Sequence, residues 1–94
     1  MFKTLEELIT IIRQRKGPLT GKSYTNKLLN DKKLSVEKVK EEVSELIDAI
    51  EKNSNKVHEA ADALYHIMVL LEADGIKIED VMYELKKRQK KEND

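Results

Sequence analysis

Apolar residues in this chain recur every three or four positions, a spacing that commits it to helices. Val36, Val39, Val43, Leu46, Ile47 and Ile50 form one series. Val57, Ala60, Ala61, Leu64, Ile67, Met68 and Leu71 form another. A helix turns by about 100° per residue, so each series becomes a continuous stripe. No stretch alternates apolar and polar residues as a half-buried strand would. Two shorter stripes flank the long ones: Leu5, Leu8, Ile9 and Ile12 before them, and Val81, Met82 and Leu85 after. The spacing therefore predicts helices from about Leu5 to Arg15, Val36 to Glu51, Lys56 to Ala73 and Ile78 to Arg88. Thr25–Leu29 is predicted to form a short helical turn. Thr4 and Glu7 have capping-box spacing, Ser35 is a candidate N-cap, and Gly17-Pro18 and Gly75 are stop signals.

Short polar breaks between helices favour antiparallel neighbours. The expected fold is all-α: one domain over residues 1–94, an antiparallel bundle of about four main helices. A 94-residue chain has a marginal core by itself. The apolar face of the 56–73 helix is also broader than one thin layer would cover. The bundle is therefore expected to be completed by dimerisation with a second copy.

Composition narrows the function classes. Formal net charge is zero, so no general attraction to nucleic acid or to an anionic membrane is expected. Charged residues make up 38% and aromatic residues 4%, which suits charged helix faces around a thin aliphatic core. Cysteine is absent, which excludes disulfides, zinc fingers and thiol catalysis. No apolar run approaches the roughly 20 residues of a membrane span, and Met1–Glu7 lacks a signal-peptide core. A cytoplasmic location is expected. The basic stretch Lys86–Lys91 is expected to fray into a solubilising tail.

The chemistry lies in two acidic motifs. Glu41, Glu42 and Glu45 form E-E-x-x-E, and Glu59 and Asp62 form E-x-x-D after a break at Asn53–Asn55. Residues three apart share a helix side, so each motif aims two carboxylates in one direction. If the two helices pack antiparallel, four carboxylates can converge. A hard divalent cation, Mg2+ or Mn2+, would relieve their repulsion. Magnesium in an enzyme usually accompanies phosphates. Glu41 and Asp48 project away from the apolar stripe and read most simply as solvated surface. Glu42 borders the stripe and needs a partner. Lys38, one turn earlier, is one candidate and a metal ion is another. His58, Asp62 and His66 make an i, i+4, i+8 stripe that keeps a transition-metal site open. For His66 alone, a hydrogen-bonded structural role is the simpler reading. The Glu-x-x-His motif of ferritin-like di-iron sites is absent.

On these residues the chain resembles the MazG-like all-alpha nucleoside-triphosphate pyrophosphohydrolases. More narrowly, it resembles the phosphoribosyl-ATP pyrophosphohydrolase family of histidine biosynthesis. Three blocks carry the likeness. Ile12-x-x-Arg15 followed by Ser23-Tyr24-Thr25 and Leu28 is similar to I-x-x-R…S-Y-T-x-x-L. Lys38-Val39-Lys40-Glu41-Glu42-x-x-Glu45 is similar to K-V-G-E-E-x-x-E. Glu59-x-x-Asp62-x-Leu64-Tyr65-His66-x-x-Val69-Leu70-Leu71 is similar to E-x-A-D-L-L-Y-H-x-x-V-L-L. Lys40 stands where the pattern has glycine, and Ala63 where it has leucine. The resemblance implies Mg2+-dependent hydrolysis of phosphoribosyl-ATP to phosphoribosyl-AMP and pyrophosphate, with Mn2+ as a substitute ion. It implies Glu42, Glu45, Glu59 and Asp62 as metal ligands. Glu41 would be the general base or water-positioning group, with Arg15, Ser23, Tyr24 and Lys38 as substrate contacts. Two other functions fit the same residues: a house-cleaning pyrophosphohydrolase acting on free nucleoside triphosphates, and a noncatalytic helical interaction module.

Overall fold

The computed structural model describes residues 1–92 and forms five helices, with no strand among the described residues. They are α1 (Lys3–Gln14), α2 (Tyr24–Leu29), α3 (Lys32–Lys52), α4 (Lys56–Ala73) and α5 (Ile78–Glu92). The all-α expectation holds, and the long pair α3–α4 packs as an antiparallel hairpin. The hairpin turns on two asparagines in the left-handed region, Asn53 at φ 54° and Asn55 at φ 61°. Asparagine tolerates that conformation better than other residues with a Cβ. The Ser54 N–H donates to the Ala49 carbonyl at 3.0 Å and closes the end of α3. Gly75, at φ 79°, ends α4 as expected, and the Ile76 N–H reaches back to the Leu71 carbonyl at 2.8 Å.

Helix starts differ from expectation. Asp31 caps α3 by accepting from the Leu34 N–H at 3.1 Å, so the helix begins before Ser35. Ser35 is instead buried, and its hydroxyl donates to the Leu28 carbonyl at 2.7 Å, tying α3 to the end of α2. The Thr4–Glu7 capping box does not form. Thr4 lies inside α1, and Phe2 occupies the N-cap position without a side-chain bond. Nor does the 86–91 stretch leave the helix. Glu84 accepts from Arg88 at 3.1 Å and pairs with Lys87 at 3.3 Å, contacts one turn apart that support continuation.

The core lies toward one end of the molecule. Ile12 of α1, Leu28 of α2 and Met68 and Val69 of α4 are buried together, with Leu8, Ile9, Leu34, Tyr65 and Ile78 packed around them. Ionic contacts clamp the same end. Arg13 donates to Glu72 at 3.1 Å and grips Glu79 with two bonds of 2.9 and 2.8 Å, while Lys16 meets Glu72 at 2.9 Å. The clamp therefore joins α1 to α4 and to α5.

The predicted buried faces of α3 and α4 need correction. The buried residues of α3 are Ser35, Glu42 and Ala49, spaced two turns apart. Those of α4 are Ala63, His66, Met68 and Val69. Much of the apolar stripe is open: Ile47 is 52% exposed, Ile50 55%, Val57 85% and Leu64 46%. The hairpin seam uses small and polar residues because α1, α2 and α5 do not extend over its far half to cover the large aliphatic ones.

Candidate active site

Each acidic motif forms a compact group on its own helix. On α3, Glu41, Glu42 and Glu45 each offer an oxygen within 4.8 Å of the others. On α4, His58, Glu59 and Asp62 do the same. The expected convergence is thus resolved into two facing groups rather than one fourfold cluster. They still sense each other across the seam. Burial, then the neighbouring Glu45 charge, pushes the Glu42 carboxyl above its ordinary range, and Asp62 adds to the rise. Lys38 pairs with exposed Glu41 at 3.4 Å, not with Glu42. The ion pair that would have explained Glu42 without a metal is therefore absent.

Glu59 supplies the sharpest observation. Its Oε1 is buried and has no hydrogen-bond partner. An unsatisfied buried polar atom costs about 1–3 kcal/mol, and more when charged. A carboxylate oxygen accepts only, so a cation or a donor must answer it. The donor set here is carboxylate oxygen with one exposed imidazole, His58, whose Nε2 lies 3.3 Å from Asp62 Oδ2. Hard oxygen donors at this density fit a hard divalent cation.

His66 does not join a metal stripe with His58. Its Nδ1 lies 2.8 Å from the Asp62 carbonyl oxygen and its Nε2 lies 3.0 Å from the Tyr24 hydroxyl, so both ring nitrogens are engaged. Tyr24 is half exposed on α2, beside the seam. Ser23 caps α2 by accepting from the Asn26 N–H at 3.1 Å. Arg15 is exposed at the end of α1. Its carbonyl accepts from the Asn26 side chain at 2.8 Å. That buried amide also accepts from the Thr20 N–H at 2.9 Å, fastening the 15–20 loop to α2. Sequence reasoning missed Asn26. The available signal was an amide residue three positions after a capping serine and close behind Gly17-Pro18.

Comparison with known proteins gives this arrangement a family. The family model described as phosphoribosyl-ATP pyrophosphohydrolase matches residues 5–89. The chain belongs to that family. It is 43% identical over 93 residues to the phosphoribosyl-ATP pyrophosphatase of Clostridium novyi, covering 93% of this chain and 82% of the relative. It is 38% identical over 89 residues to that of Haloarcula marismortui, covering 89% of this chain and 91% of the relative. It is 45% identical over 93 residues to a chloroplastic bifunctional histidine-biosynthesis protein of Arabidopsis thaliana. That match covers 90% of this chain but only 33% of the longer relative. The family is one of hydrolases acting on a phosphoanhydride.

Two positions depart from the family pattern. Lys40 is exposed beside Val39, Val43 and Ile47, on the uncovered apolar face of α3. Ala63 is buried, and its change is one of packing.

Proposed function

We propose that this protein hydrolyses phosphoribosyl-ATP to phosphoribosyl-AMP and pyrophosphate, the second step of histidine biosynthesis, in a Mg2+-dependent reaction. The observation that carries the reading is the unpartnered buried oxygen of Glu59, grouped with Asp62 on α4, in a chain of this family. Glu42, Glu45, Glu59 and Asp62 would hold Mg2+, with Mn2+ as a substitute. Bound there, the ion would supply charge neutralisation for the phosphates and a lowered pKa for an attacking water. The chain's own groups do the rest. Lys38 offers its ammonium to a phosphate as a point charge. Ser23, whose oxygen already accepts from Asn26, keeps its own proton to donate to an anion. Arg15 adds a guanidinium at the rim. Glu41, exposed beside Glu42 and Glu45, takes the proton of the water that adds across the α–β anhydride.

A homodimer is part of the same proposal. Ile47, Ile50, Val57 and Leu64 are exposed large apolar residues of the α3–α4 hairpin, and a second copy would supply an equal set to bury them against. Sedimentation at micromolar concentration should give twice the chain mass, and a monomer there would remove this element. The proposed setting is cytoplasmic, without nucleic acid or membrane as partner. No helix among the described residues is long and apolar enough to cross a membrane.

The decisive experiment is pyrophosphate release with Mg2+ from phosphoribosyl-ATP, ATP, dCTP and dUTP. Strong preference for phosphoribosyl-ATP is expected. Preference for a free triphosphate would move the protein to the house-cleaning branch. A folded protein silent on all four, with Mn2+ also tried, would favour the interaction module.

A further inference from the structure

The hydrogen bonds around His66 determine which way the Tyr24 hydroxyl points. His66 is buried, and its Nδ1 lies 2.8 Å from the Asp62 carbonyl oxygen, one turn earlier in α4. A carbonyl oxygen only accepts, so Nδ1 carries the proton. In the neutral imidazole Nε2 then presents a lone pair. The Tyr24 hydroxyl, 3.0 Å from Nε2, must donate to it. Burial pushes the Tyr24 phenol above its ordinary value, so that proton is retained at neutral pH. Two edge-on aromatic contacts hold the imidazole in place: its centroid is 5.8 Å from Tyr24 and 4.9 Å from Tyr65. Tyr65 in turn hydrogen-bonds Thr25 of α2. The ring therefore fastens α2 onto α4 beside the carboxylates.

With its only proton committed to His66, the Tyr24 oxygen can offer a ligand lone pairs alone. The adjacent Ser23 has the opposite polarity, because its oxygen accepts from Asn26 and its proton stays free. An ionised phosphate has acceptors only and cannot bond to Tyr24 in this state, whereas a sugar hydroxyl can donate to it. We propose that His66 is a positioning residue that fixes Tyr24 as the acceptor for a ribosyl hydroxyl of the substrate, leaving phosphate contacts to Ser23 and Lys38. The identity of the substrate rests on the pyrophosphohydrolase reading above.

Steady-state kinetics of the full chain with Mg2+ test this. Tyr24→Phe should raise KM for phosphoribosyl-ATP about tenfold and leave kcat within about twofold. His66→Asn keeps an N–H for the Asp62 carbonyl but removes the acceptor for Tyr24, and should raise KM equally. His66→Gln restores an acceptor at the Nε2 position and should recover most of the KM, which a merely structural role would not predict. The double variant Tyr24→Phe/His66→Asn should be no worse than either single. An unchanged KM in Tyr24→Phe, a loss confined to kcat, or additive losses in the double variant would overturn the proposal. Tyr24 is half exposed, so Tyr24→Phe carries the test even if His66→Asn fails to fold. Should the wild-type protein be silent on phosphoribosyl-ATP, the functional reading fails separately. Calorimetry with ribose 5-phosphate and with inorganic phosphate then decides. Weaker binding of ribose 5-phosphate alone in Tyr24→Phe supports the inference; equal loss of both ligands, or of neither, refutes it.

Discussion

Glu42 and Glu72 are buried to a similar degree and carry their charge under opposite conditions. The Glu42 residue is 8% exposed and the Glu72 side chain 9%. Burial pushes both carboxyls up. At Glu72, hydrogen bonds from Lys16 and Arg13 outweigh burial, and the group ends below its ordinary range. At Glu42 the next contribution is the like charge of Glu45, and the group ends above it. The clamp region thus meets its buried acid with cations of the chain, while at the hairpin seam Glu42 has a like charge beside it and the Glu59 oxygen has no hydrogen-bond partner. A buried acid paired internally holds the fold together. One left unpaired costs stability, and in this protein it is the one that suits an external cation.

Substitutions that treat the two acids alike should separate them. The largest effect is expected from Glu42→Gln: pyrophosphate release should fall by at least about 100-fold, with the helical spectrum intact. The same change should raise the thermal midpoint of the metal-free protein, by roughly 1 kcal/mol of stability, because it removes a buried charge. Full activity in this variant and in Asp62→Asn would sink the ligand assignment. A lower midpoint would show that Glu42 is answered within the chain after all.

Glu72→Gln should do the reverse. It leaves Arg13 and Lys16 without their shared carboxylate and should cost about 1–2 kcal/mol in denaturant unfolding. Activity per folded molecule should hold within about twofold, since the clamp lies at the α1–α5 end. An activity loss matching that of Glu42→Gln would erase the contrast.

The smallest effect concerns acid. Arg13 lowers the Glu79 carboxyl from 4.5 to about 2. A depressed folded pKa gives stability that is present above the unfolded value and lost as pH falls through the folded one. The clamp's share should therefore fade between pH 4.5 and about 2. Glu42, with a raised pKa, works in the opposite direction: its penalty is full above its folded pKa and relieved as it protonates. Glu79→Gln should flatten the acid limb of a thermal-midpoint profile, and an unchanged profile would show that the exposed Arg13–Glu79 pair contributes nothing measurable.

How much could be read in advance depended on the range of the interaction. Local signals were dependable where one segment settled the matter, as at Gly75, which supplied the left-handed residue that stops α4. Capping was less secure, because two candidates competed. Asp31 took the cap of α3, and Ser35 was drawn into a buried bond with Leu28. The acidic motifs marked the candidate site residues by spacing, yet spacing could not say whether Lys38 would pair with Glu41 or Glu42. Asn26 escaped notice because its partners, Arg15 and Thr20, belong to a loop whose path is not written in any periodicity.

By itself the sequence determined that the chain is helical, where most helices lie, and which carboxylates share a helix side, because those properties follow from a 3.6-residue turn. Tertiary structure alone decided which side of each helix is covered. It put Ser35, Glu42 and Ala49 on the buried face of α3 and left Ile47 and Ile50 open, because coverage depends on how far α1, α2 and α5 extend along the hairpin. It also decided that His66 binds Tyr24, since hydrogen-bond partners 42 residues apart are chosen by packing and not by any repeat.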